Sequence, residues 1–427
     1  MNKNDTIRQT IKETRERHNN MRCRIIEVKC VKGKLSKTDK NALDTVFREG
    51  KWFRNDLIAK GDTSLFDDKV KSVKVKTGDT FEERPLTMLS SHMKQSIVDS
   101  VRSEIKGLST KKSKGDKVGH LKFKSVMNSV NLKQYGNTYR IDFENDRISV
   151  QGIKKPFKVR GLDQIPEDAE IANAKLVRKP SGYYFHITIY TKRDDKETGT
   201  AVGVDFGIGT NITTSDGDKY DINVPETKGI KLASRRVNKS LKRNGGKKSK
   251  NHHRRKKKLR RAYEKQTNIK HDKANKIVSV LLEYDIVAIQ DELIAAWHHG
   301  RFGKQVQHSA MGLIKARLKT SPKTIVAPAS FPSTQKCPVC GKNTKHPLSK
   351  RSYECSHCGY AHPDRDVKAA NMILIEALET ASDDIVSTEH RAKSPVEVRP
   401  SGGCMDSSFA MNAVVKVPPV KQEAPTS

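Results

Sequence analysis

Four cysteines and a handful of carboxylates are the residues of this 427-residue chain whose types and spacing could do chemistry. Cys337-Pro-Val-Cys340 and Cys355-Ser-His-Cys358 are two CxxC pairs with 14 residues between them, and a glycine, Gly341 or Gly359, follows each pair. Four thiolates satisfy one Zn²⁺ tetrahedrally, and each glycine allows the turn that points backbone amides at sulfur. No ligand position is left open in such a set, so the zinc is structural. His357 and His362 read as surface or supporting groups beside it. Cys23, Cys30 and Cys404 are scattered singly, and two CxxC pairs beside such singles read as metal binding in a reducing compartment and not as a disulfide framework.

The acids stand out by position. Asp205 leaves an apolar strand in "AVGVDFGIG", Asp291 and Glu292 end the apolar run "DIVAI", and Asp364 and Asp366 lie at the start of a helix. Taken singly, each is ordinary capping or surface chemistry. As a set at strand ends and a helix start, they could hold two Mg²⁺ ions about 3.5–4 Å apart, activating water and stabilising a leaving oxygen. Hard oxygen ligands suit Mg²⁺, which completes its shell with water and substrate phosphate. If Ile289 is buried, period-two alternation puts Gln290 and Glu292 on one side and Asp291 on the other. Asp291 and Glu292 both stay open as the ligand from this stretch. Gly203, Gly207 and Gly209 around Asp205 read as room for a phosphate backbone to approach.

These residues need a scaffold, and the pattern along the chain supplies one. Residues 1–20 are polar without an apolar stripe and read as a frayed helix or disordered arm. Residues 21–36 and 119–195 alternate with a period of two and read as one β-rich domain, with a helical lobe, 37–118, inserted between them. After a polar joint, 200–335 reads as an antiparallel meander followed by alternating helices and strands, completed by 360–380, which contains the helix "DRDVKAANMILIEALET". The cysteine segment, 336–359, is inserted there, and 381–427 reads as a disordered tail. The expected fold is multi-domain. It joins an α+β half, β-barrel-like and oligonucleotide-binding-like, to an α/β half of ribonuclease-H type carrying the four-cysteine insertion.

Charge names the partner. Lys and Arg number 83 against 49 acids, a formal net charge of +34, which points to a polyanion and above all to nucleic acid. Residues 228–276 alone hold 21 basic and two acidic residues. Arg235, Arg236, Lys247, Lys248, Arg254, Arg255, Lys256 and Lys257 in that segment are candidate phosphate contacts, as are Lys336, Lys342, Lys345, Lys350 and Arg351 in the cysteine segment. No apolar run approaches a membrane span and the N-terminus has no signal-peptide core, so the expected location is a prokaryotic cytosol or nucleoid, with no membrane partner.

The order of "GVDFGIG", a basic helical insert, an apolar strand ending in acid, and a CxxC…CxxC ribbon running into "DRDVKAANMIL" resembles the transposon-encoded TnpB proteins and their descendants, the type V CRISPR effectors. The resemblance is specific over residues 200–378 and weaker over 21–195. It implies a RuvC-like nuclease with Asp205, an acid at 290–292, and Asp366 as the Mg²⁺-binding catalytic acids, a zinc ribbon, a guide RNA, and a target DNA cut beside a short flanking motif. The family's glutamate falls nominally at Gln290, and alternation puts Glu292 on that side, so Glu292 is the expected ligand with Asp291 in reserve. A homodimer is left open. Two positions depart from the family pattern. Lys368 stands where an asparagine is usual, and Gln290 stands where the glutamate directly after the strand is usual. The rivals are a nuclease-inactive guided repressor and a guide-independent transposase or resolvase. Reversing charge at Lys247, Lys248, Arg254, Arg255, Lys256 and Lys257 is expected to weaken binding to nucleic acid of any sequence and flatten its salt dependence in filter binding; an unchanged slope returns the segment to a solvated surface.

Overall fold

A computed structural model describes residues 3–193, 198–243, 245–347 and 349–391, with side chains excluded at 3, 4 and 382–391. The chain divides into two units, one ending at Asp195 and the other beginning at Lys196.

The first unit runs α1 (Lys3–Asn19), β1 (Met21–Cys30), α2 (Lys37–Lys60), β2 (Ser72–Thr77), β3 (Thr80–Pro85), α3 (Ser91–Ser113), β4 (Ser129–Leu132), β5 (Tyr139–Asp142), β6 (Arg147–Val150), β7 (Phe157–Arg160), β8 (Glu170–Lys179) and β9 (Gly182–Lys192). Seven of the strands form an antiparallel, nearly closed, barrel-like sheet in the order β4-β8-β9-β1-β7-β6-β5. Ile26, Val28 and Cys30 of β1 alternate inward and meet Phe185, Ile187 and Ile189 of β9. Leu43, Val46, Phe47, Phe53 and Leu57 of α2, and Met93, Ile97 and Val101 of α3, belong to that same core. Ser36 and Asp39 start α2 with a reciprocal capping box.

Within the stretch expected to be helical, β2 and β3 form a hairpin in which β3 is exposed and β2 puts Val73 into the core. Residues 3–19, expected to be frayed or disordered, form α1. Its last turn is held where Arg17 and His18 reach Glu170 and the His18 ring stacks 3.6 Å from Tyr190.

The second unit continues with β10 (Ala201–Phe206), β11 (Ile212–Thr214), β12 (Lys219–Tyr220), α4 (Lys228–Lys242), α5 (Lys250–Leu281), β13 (Ile286–Gln290), α6 (Gly303–His308), α7 (Met311–Leu318), β14 (Thr324–Ala327), β15 (Tyr353–Glu354), β16 (Ala361–His362) and α8 (Arg365–Arg391). Five strands make one sheet in the order β12-β11-β10-β13-β14, with β10, β13 and β14 parallel and the β10-β11-β12 edge antiparallel. Period-two alternation divides its faces. Val202, Val204, Val287 and Ile289 pack with α5 and α7, while Ala288 and Ala327 pack with Ile373, Leu374 and Ala377 of α8. The helix runs on past the expected end at 380; residues 392–427 of the expected tail, with Cys404, lie outside the described residues.

Gly203 faces α8, and this corrects the reading of it as room for phosphate. A Cβ there would sit 2.0 Å from the Ala370 carbonyl oxygen and 3.0 Å from the Leu374 Cβ. Gly207 closes on Thr210, and Gly209 leaves space for the Arg351 guanidinium. Gly203→Ala is expected to lower the melting temperature, as overpacking against backbone costs roughly 1–3 kcal/mol or more. Gly312→Ala, in α7 with no atom within 4 Å of the new Cβ, is the control that holds or raises it. Equal melting temperatures for the two variants would contradict the close approach of α8.

Candidate active site

Three of the carboxylates expected to hold metal lie around the C-terminal ends of the central strands β10 and β13, near enough for the charges of Glu292 and Asp366 to act on Asp205. Asp205 is next to last in β10, on the face that Gly203 turns to α8, and is buried. Val204 pairs with Ile289, so Asp205 lies beside Gln290, and Glu292 follows just beyond the end of β13. Asp366 is in the first turn of α8. Burial pushes the Asp205 carboxyl well above the ordinary carboxylate range, and the charges of Glu292 and Asp366 push it further the same way. Burial also raises Glu292 to about 7, against the opposing pull of Lys315. Its Oε2 is buried with no hydrogen-bond partner.

The neighbouring acids are occupied elsewhere. The Asp364 Oδ1 accepts from the amides of Asp366 at 2.9 Å and Val367 at 3.2 Å, so it caps α8 and relieves Asp366 of that task. Its other oxygen takes Lys219. Asp291 turns away to Lys319 and to Lys315 at 3.8 Å, and the Lys319 hydrogen bond holds its carboxyl below the usual range. Cations border the cluster: Arg351 comes within 3.6 Å of Asp366, and the buried Arg365 within 3.9 Å.

The cysteine module has the geometry that its spacing implied. The sulfur atoms of Cys337, Cys340, Cys355 and Cys358 all lie within 4.8 Å of one another, a set that could hold Zn²⁺. Gly341 and Gly359 adopt φ of +69° and +74°, and their amides return to the carbonyls of Cys337 and Cys355. His357 is exposed, and His362 hydrogen-bonds to the Asp364 backbone.

The basic segment forms two capped helices, α4 after Thr227 and α5 after Ser249, with Gly245 and Gly246 at positive φ between them. Arg235, Arg236, Lys247, Lys248, Arg254, Arg255 and Lys257 are exposed and Lys256 is half-exposed. On the cysteine module Lys350 pairs with Glu354 and Lys336 with Glu376, whereas Lys342 and Lys345 are exposed. Gln290 and Lys368, noted in the sequence only as departures from a pattern, and Ser333, which the sequence did not single out, are buried around the site.

The second unit thus combines a buried carboxylate group with a four-cysteine module that could hold zinc. Comparison with known proteins narrows the class. A family model described as "Cas12f1-like, TNB domain" matches residues 314–373, and one described as "Probable transposase" matches 184–293. A Streptomyces pristinaespiralis protein described as "Putative RNA-guided DNA endonuclease" is 26% identical over 251 residues, covering 56% of this chain. The chain spans 61% of that relative's length. A cryo-EM structure of a Cas12f1-sgRNA-target DNA complex covers 83% of this chain and 99% of its own, at 12% identity and a TM-score of 0.25, a likeness too loose to carry an argument. The family similarity is thus to the TnpB and type V effector-like proteins. Among the described residues no helix is long and apolar enough to cross a membrane.

The raised carboxyls make a pH prediction. A folded-state value above the unfolded one stabilises the protein below the unfolded value, and that contribution is lost as pH rises through the folded value. With no divalent ion added, stability should therefore fall between about 4.5 and about 7, the span of the Glu292 shift. Glu292→Gln should shrink that slope and melt higher than wild type at pH 8. Identical pH–melting curves for the two proteins would sink this account of Glu292.

Proposed function

We propose that the chain is an RNA-guided, Mg²⁺-dependent DNA endonuclease of RuvC-like type, with Asp205, Glu292 and Asp366 as its catalytic carboxylates. The observation that carries this is the convergence of three acids from β10, the end of β13 and the first turn of α8, one of them with a buried oxygen lacking any hydrogen-bond partner. Such a group is costly unless a ligand completes it. The strand order, an antiparallel three-strand meander extended by two parallel strands with helices on both faces, supports a ribonuclease-H-like layer. The printed names of the curated relative and of the transposase family model support a guided nuclease associated with a transposon or a derived CRISPR system.

Hard carboxylate oxygens suit Mg²⁺, which when bound supplies an activated water and charge neutralisation at the leaving oxygen. The chain's own residues do the rest. Asp205, Glu292 and Asp366 hold the cations and set their separation. Arg351, Arg365 and Lys315 offset the charge of the cluster, and Arg351, the exposed one, is placed to meet a phosphate. The exposed cations of α4 and α5 attract the guide RNA and the target DNA from any sequence, and the four-cysteine module, loaded with one structural Zn²⁺, steadies the start of α8.

The protein purified from its host is expected to carry a discrete structured RNA, and with Mg²⁺ to cut a DNA target matching it. Asp205→Ala, Glu292→Ala and Asp366→Ala should each abolish cutting and leave RNA and DNA binding nearly intact, whereas Asp291→Ala keeps much of the activity. Activity lost in Asp291→Ala and kept in Glu292→Ala would move the ligand by one residue. Wild-type protein that retains its RNA and never cuts would be a guided binder, and strand-transfer products formed without RNA would make it a transposase.

A further inference from the structure

Lys368 is a fully buried charge that the proposed chemistry leaves unused, 1% exposed in the second turn of α8. Its ammonium donates to the Ser333 carbonyl at 3.0 Å and stands 4.0 Å from the centre of the Tyr353 ring. Tyr353 is the aromatic core of the cysteine module, packed with Cys337 and Cys355, and its hydroxyl donates to the Gln335 carbonyl at 3.1 Å. Ser333, also buried, donates its hydroxyl to the Gln290 Oε1 at 3.0 Å. The Gln290 amide nitrogen donates in turn to the carbonyls of Phe331 at 2.6 Å and of Pro328 and Ala329 at 3.2 Å.

These bonds form one buried path. It begins at Gln290, two residues before Glu292, crosses the loop 328–335, reaches Lys368 two residues after Asp366, and ends inside the four-cysteine module. A buried ammonium without partners would cost several kcal/mol. Here a carbonyl and a π face offset part of that cost, while burial still lowers the ammonium to about 8. Lys368 and Gln290 are joined through the two ends of one residue, Ser333.

We propose that Lys368 is a positioning residue: it locks the first turns of α8 to the four-cysteine module and, through Ser333 and Gln290, sets the spacing of Asp366 and Glu292. The effect on cleavage rests on the nuclease reading above; the lock itself does not. A lysine that merely satisfies a core would add stability and leave the carboxylates unaffected.

The test uses the full-length protein. Lys368→Met keeps the stem and removes the charge, Lys368→Arg restores a charge, and Ser333→Ala removes only the hydroxyl link to Gln290. Zinc content, melting temperature, Mn²⁺ affinity by electron paramagnetic resonance and amide exchange over 364–370 are measured on each. Lys368→Met is expected to retain its zinc, weaken Mn²⁺ binding about tenfold or more, as loss of a group that orients metal ligands does, and exchange faster over 364–370. Lys368→Arg should recover part of that loss. Ser333→Ala should weaken Mn²⁺ binding with little change in melting temperature, and it decides the question if Lys368→Met fails to fold. Unchanged Mn²⁺ affinity in Ser333→Ala and in folded Lys368→Met, with melting temperature alone reduced, overturns the lock. Wild-type protein that binds no Mn²⁺ would count against the carboxylate reading, and the exchange rates over 364–370 would then decide the lock by themselves.

Discussion

The contact on which the second unit depends is the close approach of α8 to β10 at Gly203, where no side chain separates the strand from the carbonyl of Ala370. A helix that rests directly on a sheet needs small residues along its track, and Ala288, Ala327, Ala369, Ala370 and Ala377 provide them. Asp366 is one turn before Ala370 and Asp205 two residues after Gly203. The depth at which the helix sits therefore sets how near the two carboxylates come. The packing of glycine against alanine, which carries no chemistry, fixes the chemistry at the other end of the helix.

Bringing acids together in a partly buried place is costly, and the surroundings divide the cost unequally. Asp364 and Asp291 each have a lysine, and Asp364 also has two amides, so they are settled as side chains. Glu292 is left with a buried, unpartnered oxygen and Asp205 with two acidic neighbours. Carboxyls pushed above their usual range by burial and by one another at the end of a sheet mark a candidate functional site. Under the proposed reading, the strong positive charge of the chain is the complement to this, with phosphates drawn to the cations and divalent ions to the acids.

Much of this was legible in the residues. Two CxxC pairs with following glycines specify a local structure almost completely, since ligand spacing and turn geometry are both short-range. The apolar runs ending in Asp205 and Asp291-Glu292 identified the parallel strands for the same reason. What could not be read depends on partners distant in the chain. Gly203 looks like any glycine beside a functional acid until Ala370 is known to lie over it. In the β2–β3 hairpin only Val73 and Val75 alternate with polar residues and β3 is exposed throughout, a pattern too short to mark a strand. Helix α1 has no apolar stripe, and a short polar helix is marginal without a tertiary hold. Glu170 and Tyr190 give it one from across the unit.

Gln290 shows where the alternation argument for Glu292 stops applying. Period-two counting assumes that the strand continues, but the strand ends at Gln290, whose side chain is fully engaged with the loop 328–333. A glutamate there would set a carboxylate against the carbonyls of Pro328, Ala329 and Phe331, acceptor facing acceptor, so an amide with its two N–H donors is the side chain the position requires. The acid then has to come from beyond the strand. Asp291 leaves toward Lys319, and Glu292, with a longer side chain and its backbone carbonyl held by Lys315, turns back toward Asp205. The loop leading to the cysteine module thus takes the strand end for its own hydrogen bonds, and a carboxylate from this stretch that reaches Asp205 has to come from beyond it.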